Sequence, residues 1–417
     1  MELYYSFSVL IVLAAIFSYV NARYLKLPST IGIMVIAMLT SLGLVMGGQI
    51  FPKTFDSFLR LFGSIDFSEI LMGCMLNFLL FAGAIHIHLD DLKQERLSVL
   101  LFSTVSVIIS TFIVGYLMYY ILYFLNFNIP LIQCLLFGSL ISPTDPIAVL
   151  GILKKAKVSK SLETKVAGES LFNDGMAVVM FILLNNIANG EDVNLSFVGI
   201  SALLIKEAVG GIVLGLCLGF LGSIMIKQVD DYKVDVLITL AIVMGGYLIA
   251  HQFHMSGPLA MVAAGLIVGN YGRNRAMSET SREYVDKFWE LTDEVMNAIL
   301  FLFIGFEILL IEEIRSYWAV GMITIMVVLF SRLISIIIPV QIIKFKENKF
   351  TRQSIIILVW GGLRGGVSIA LASSIAPELN RDLFLTITYF VVVFSIIVQG
   401  LTIGKVTQPK KKMIANT

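Results

Sequence analysis

Along most of this chain apolar residues run on for about twenty positions at a time, interrupted by short charged clusters. A helix needs about 20 such residues to cross the hydrocarbon core of a bilayer. On that ruler the pattern predicts thirteen helices, at roughly 4–21, 28–47, 67–87, 97–125, 131–152, 164–189, 207–227, 234–251, 256–272, 291–312, 316–342, 353–375 and 381–405. The runs are continuous and do not alternate, which excludes a closed β-barrel. Little chain lies between them. The longest connections, about 48–66 and 273–290, have room for one amphipathic helix each, and 406–417 reads as a short tail. The expectation is an all-α integral membrane protein in which residues 1–417 form one transmembrane domain.

Composition agrees, with 58% hydrophobic and 14% charged residues, where a soluble domain carries roughly 25% charge. The net charge of +1 says little, but its distribution says more. Loops after helices 1, 3, 5, 7, 9 and 11, together with the tail, hold 23 of the 30 lysines and arginines. Only Lys53, Arg60, Lys206, Arg315 and Arg381 fall in the other loops. By the positive-inside rule the N-terminus is outside and the C-terminus cytoplasmic. The start of the chain has no basic region or small-residue cleavage site, so residues 4–20 read as a retained span. Cys74, Cys134 and Cys217 sit in apolar runs and suggest no disulfide framework. No nucleotide-binding loop, HExxH or GxSxG occurs, so no cofactor, nucleic-acid partner or enzymatic role is expected.

Against this apolar background the stretch GESLFNDG at 168–175 stands out. On a helix Glu169 and Asn173 share one face, and Ser170 and Asp174 share another about 100° round. Carboxylates at depth line cavities or pair, and mark ion pathways. The alternative is a wetted helix end. In the preceding helix, Pro143 and Pro146 flank Thr144 and Asp145. Two prolines three residues apart remove backbone donors and should break the helix, although a simple kink is the other reading. Helix 12 carries WGGLRGGVS, four glycines around Arg364. Counted from helix 8, it is fifth in a second half, as helix 5 is in the first. Two interrupted helices at matching positions suggest inverted repeats with the site at their crossing. Asp145 would offset half-helix N-termini there and Arg364 the C-termini, unless Arg364 snorkels to an interface. Arg332 lies mid-span in helix 11 and needs a carboxylate, with Glu169 the first choice; snorkelling or another partner is the alternative. The pairs His86/His88 and His251/His254 lie at span ends on opposite sides, so they form no joint metal site.

These residues resemble a known family. TDPIAVLGILKK followed by AGESLFNDGMAVV is similar to the Na+/H+ antiporters of the NhaP and NHE kind. The similarity continues through SGPLAMVAAGLIVGN, FLFIGFEI and WGGLRGGVSIALA, and covers about residues 5–405. The resemblance implies thirteen helices, crossed discontinuous helices 5 and 12, a core and a dimerisation subdomain interleaved in sequence, and a homodimer in the membrane lipid. Carried over by position, it makes Asp174 the carboxylate that exchanges Na+ and H+, with Asn173 as its partner. Ser170 and Thr144 become neighbouring oxygen ligands, and Glu169 pairs with Arg332. The chain departs from the family at Ala82, where relatives often have Glu, and at His86 and His88. That departure bears on ion preference. The short tail resembles a prokaryotic member, in which the protein would lie in the inner membrane.

The function expected is exchange of Na+ (or Li+) for H+ by alternating access, electroneutral at one for one, in pH and sodium homeostasis. A K+/H+ exchanger on the same scaffold is the near alternative. A cation channel is the more distant one, and no repeated filter loop speaks for it.

Overall fold

The computed structural model describes residues 2–47, 67–156, 158–190, 197–229, 231–309, 311, 314–346 and 350–407. The loop helix expected within 48–66, and the tail from 408 on, lie outside the described residues. Every regular element among those described is helical, and the only β pairing is an isolated antiparallel bridge between Asp145 and Leu363. The helices are α1 (Glu2–Val20, extended by a π turn to Leu25), α2 (Ser29–Gly47), α3 (Ser68–Ile85), α4 (Arg96–Phe124) and α5 (Leu131–Leu140 and Ile147–Lys155). They continue with α6 (Lys160–Ala188), α7 (Phe197–Val229), α8 (Tyr232–Gln252) and α9 (Gly257–Ile267, then a π turn Val268–Gly272). The last are α10 (Glu279–Phe306), α11 (Ile314–Lys346), α12 (Arg352–Trp360 and Gly366–Ser373) and α13 (Arg381–Thr407). The protein is a membrane-embedded helical bundle.

Nine of the described helices are long and apolar enough to span a membrane. The other four have physical reasons for falling short. Helices α5 and α12 are each broken in the middle, and α9 is short. The first half of α10 is charged, and the connection at 273–290, with room for one amphipathic helix, holds no separate one beyond the single turn Arg273–Arg275. Instead α10 starts at Glu279, behind the N-cap Ser278, and runs without a break into the membrane. Helical spacing buries Val285 and Trp289 on one face of that segment and leaves its charges on the other.

The breaks in α5 and α12 fit each other. An unwound segment at membrane depth leaves backbone groups that must be satisfied by protein. The Asp145 N–H donates to the Leu363 carbonyl at 2.8 Å, joining the two unwound stretches directly. Helix α13 supplies the rest: Ser395 Oγ accepts from the Arg364 N–H at 2.9 Å, and Gln399 Nε2 donates to the Trp360 carbonyl at 3.1 Å. Close packing elsewhere comes from small residues. Gly211, Gly215 and Gly219 on α7 leave room for the α9 backbone and side chains that any Cβ would strike.

Candidate functional site

Helix α6 starts on a built N-cap, Ser159, whose Oγ accepts from the Leu162 N–H. From there its two polar faces diverge. Glu163, Thr164, Ala167, Ser170 and Asp174 recur at helical spacing along one wall of a cavity of about 560 Å³. The eleven helical rises from Glu163 to Asp174 make that wall about 16 Å long. The other walls are α3 (Ala82, Gly83), the α5 break (Thr144, Asp145), α10 and the start of the second half of α12. His86, Asp91 and Lys160 line it at the helix ends, whereas Asp174, Ser170 and Thr144 line it at mid-helix. Thr144 Oγ1 and Ser170 Oγ are 3.2 Å apart, and Asn173 Nδ2 donates to Thr144 Oγ1 at 2.8 Å. Asn173 therefore reaches the cavity through Thr144. It lies 1% exposed on the far face, and its Oδ1 has no partner among the described residues.

The crossing is held by opposite charges at opposite ends. Arg364 Nη1 donates to the carbonyls of Ser142 and Pro143, in the unwound stretch just past the end of the first half of α5. The cation thus sits on the negative end of a half-helix. Asp145 sits on the other side, against the backbone that opens the second half of α12. A Cβ built at Gly365 would lie 2.6 Å from Asp145 Oδ2 and 2.7 Å from Asp145 Cβ. No side chain fits there. Gly365→Ala is expected to push the two broken helices apart, at an overpacking cost of about 1–3 kcal/mol. A lower melting temperature in detergent and lost transport would be its signs; a variant with wild-type melting and transport would show that this approach is not needed.

Behind the cavity, Arg332 from α11 donates through Nη1 to Glu169 Oε1 and through Nη2 to the Leu358 carbonyl at 2.9 Å. Both charged side chains are buried, at 6% and 2% exposed. The structure therefore brings Glu169 and Arg332 together, and Arg332 also lies where a side chain at Gly362 would be. Arg364 lines the same small cavity as that pair, but its hydrogen bonds go to backbone.

Sequence reading overlooked several wall residues. Asp293 and Glu294 of α10 line the same cavity as Asp174. Two adjacent acids at the head of the apolar run VMNAILFLFIGF were the available signal. Ala82 is buried and lines the cavity without adding an oxygen.

Crossed broken helices beside a cavity that holds several carboxylates, in a bundle of this size, are the architecture of a membrane transporter. The chain belongs to the transmembrane sodium/hydrogen exchanger family, whose profile matches residues 10–408. It is 47% identical over 406 residues to the Na+/H+ antiporter NhaP of Pseudomonas aeruginosa, with 94% of each chain covered. It is 33% identical over 389 residues to the Na+/H+ antiporter NhaH of Halobacillus dabanensis, covering 92% of each. Its structure is similar to that of the sodium proton antiporter MjNhaP1 from Methanocaldococcus jannaschii. The TM-score is 0.76 at 21% sequence identity, over 98% of this chain and 99% of that one. That likeness concerns the fold.

Proposed function

We propose that this protein is a secondary Na+/H+ antiporter in which both ions use Asp174 in turn. The observation that carries the reading is the cavity that follows α6 from its first turn to Asp174, whose carboxylate lines it together with the paired Thr144 and Ser170 hydroxyls. Na+ is a hard cation and takes oxygen ligands, which these groups offer. Asn173 does not titrate, so its part is to hold Thr144. A proton and a sodium ion on one carboxylate exclude each other, and alternating access turns that exclusion into one-for-one, electroneutral exchange. The charge distribution in the loops supports a cytoplasmic C-terminus and an external N-terminus, so the cavity faces the cytoplasm. A bacterial inner-membrane location, a homodimer, and division of 1–417 into interleaved core and dimerisation parts rest on the family resemblance.

The test is the apparent Km for Na+ in proteoliposomes between about pH 5.5 and 8.5. Competition at one carboxylate makes Km rise towards acid, by up to about tenfold per pH unit through mass action, while the maximal rate changes little. A flat Km would mean that proton and cation do not share Asp174. Parallel assays with K+ and Li+ set the ion preference, and proton release driven by K+ but not by Na+ would replace this reading with K+/H+ exchange.

A further inference from the structure

Helix α6 carries a third buried polar side chain on its far face, one turn before Glu169. Lys165, Glu169 and Asn173 follow each other at four-residue spacing and are 3%, 2% and 1% exposed. Side chains four apart on a helix are neighbours, about 5–6 Å between Cβ atoms. In a medium of low dielectric an ammonium at that spacing is a strong competitor for a carboxylate. Lys165 does not compete, because it is engaged elsewhere. Its Nζ lies 3.1 Å from Glu95 Oε2, donates to Ser161 Oγ at 3.0 Å, and sits 4.6 Å from the centre of the Phe350 ring. An ammonium has three donors, and two acceptors plus a ring face occupy them. Ser161 lies one turn earlier on α6, on the side away from Glu169.

Glu95 is held as firmly. It stands at the joint between the short helix Leu89–Gln94 and α4, and accepts from Ser161 Oγ at 2.5 Å. One turn earlier on the same short helix, Asp91 pairs with Lys160 at 2.7 Å. Two ion pairs thus bind this segment to the first turns of α6.

We infer that Glu95 is a positioning residue for ion exchange: it keeps Lys165 off Glu169, so that Glu169 stays with Arg332 and α6 presents Ser170 and Asp174 to the cavity. The inference rests on the reading of Asp174 as the exchange carboxylate. Along the far face the charges then alternate, Glu95, Lys165, Glu169, Arg332, and removing the first member frees the second to attack the third.

Two single changes break the same pair with different consequences. Glu95→Gln leaves a loose ammonium beside Glu169. Lys165→Met strands Glu95 but leaves Glu169 to Arg332. Both should lower the melting temperature. Transport per folded protein should fall about tenfold in Glu95→Gln, stay within about threefold of wild type in Lys165→Met, and return to that level in the double variant, as charges in one network couple. The loss in Glu95→Gln should lie in the maximal rate more than in Km. Ser161→Ala, which removes one acceptor from Lys165, gives a milder loss that Lys165→Met also suppresses, and it serves if Glu95→Gln does not fold. Equal losses in both single variants, or a double variant no better than Glu95→Gln, would reduce the pair to a structural role and overturn the inference. Wild-type protein lacking Na+-driven proton release in the same vesicles would instead remove the function on which it rests.

Discussion

Asp174→Asn should abolish cation–proton exchange while leaving the fold intact. The side chain lies at mid-helix on the cavity wall, and among the described residues it enters no ion pair. Its loss therefore strands no partner, and Asn fills the same volume. The amide can neither release a proton nor offer a full negative charge to Na+, so both half-reactions fail together. Asp145 lines the same cavity, and two like charges in a confined space oppose each other. Neutralising one should leave the melting temperature unchanged or raise it, the usual relation between stability and a strained functional site. The assay is cation-dependent pH recovery in everted vesicles or proteoliposomes, alongside melting in detergent. Activity above about a tenth of wild type, a loss of about 1.4 kcal/mol in transition-state terms, would move the exchange site to another group, with Asp293 the next candidate on the same cavity.

The fold was largely legible because membrane insertion imposes a coarse and strict rule. Each span must be long and apolar, and each break must have a chemical cause. Pro143 with Pro146, and the glycines around Arg364, are such causes, and the structure unwinds the chain at both places. The loop charges added an independent check on the parity of the helices. What stayed hidden depended on which face of a helix met which neighbour. Lys165 reads as one more loop-proximal lysine in the sequence, yet it is buried against Glu95, seventy positions away in a segment with no motif. Asp293 and Glu294 belong to no motif, and become cavity wall only because α10 packs beside α3 and the second half of α12. Glu169 and Ser170 are adjacent in sequence, and the 100° between them separates a buried ion pair from the cavity. Periodicity predicts that angle, but assigning each face to its neighbour requires the packing.

Glu169→Gln is expected to be among the most destabilising single changes in the protein. Arg332 sits mid-span with its partner, and both are out of water. Breaking one side of such a pair typically costs about 3–5 kcal/mol, because the remaining charge keeps its desolvation penalty without its compensation. The effect should reach beyond α6. Arg332 also donates to the Leu358 carbonyl in the first half of α12, so a displaced guanidinium loosens α11, α6 and α12 at once. Arg332→Lys should recover less than charge alone suggests, since an ammonium lacks the planar fork that serves a carboxylate and a carbonyl together. Exchanging the two residues restores the attraction but puts a carboxylate beside the Leu358 carbonyl, so the swap should regain only part of the stability. The measurement is melting in detergent for Glu169→Gln, Arg332→Lys and the swap, with transport assayed per folded protein. Melting of Glu169→Gln within about a degree of wild type would show that the pair contributes nothing to the fold. A swap fully as stable as wild type would show instead that the bond to Leu358 is dispensable, leaving charge pairing as the whole of the role of Arg332.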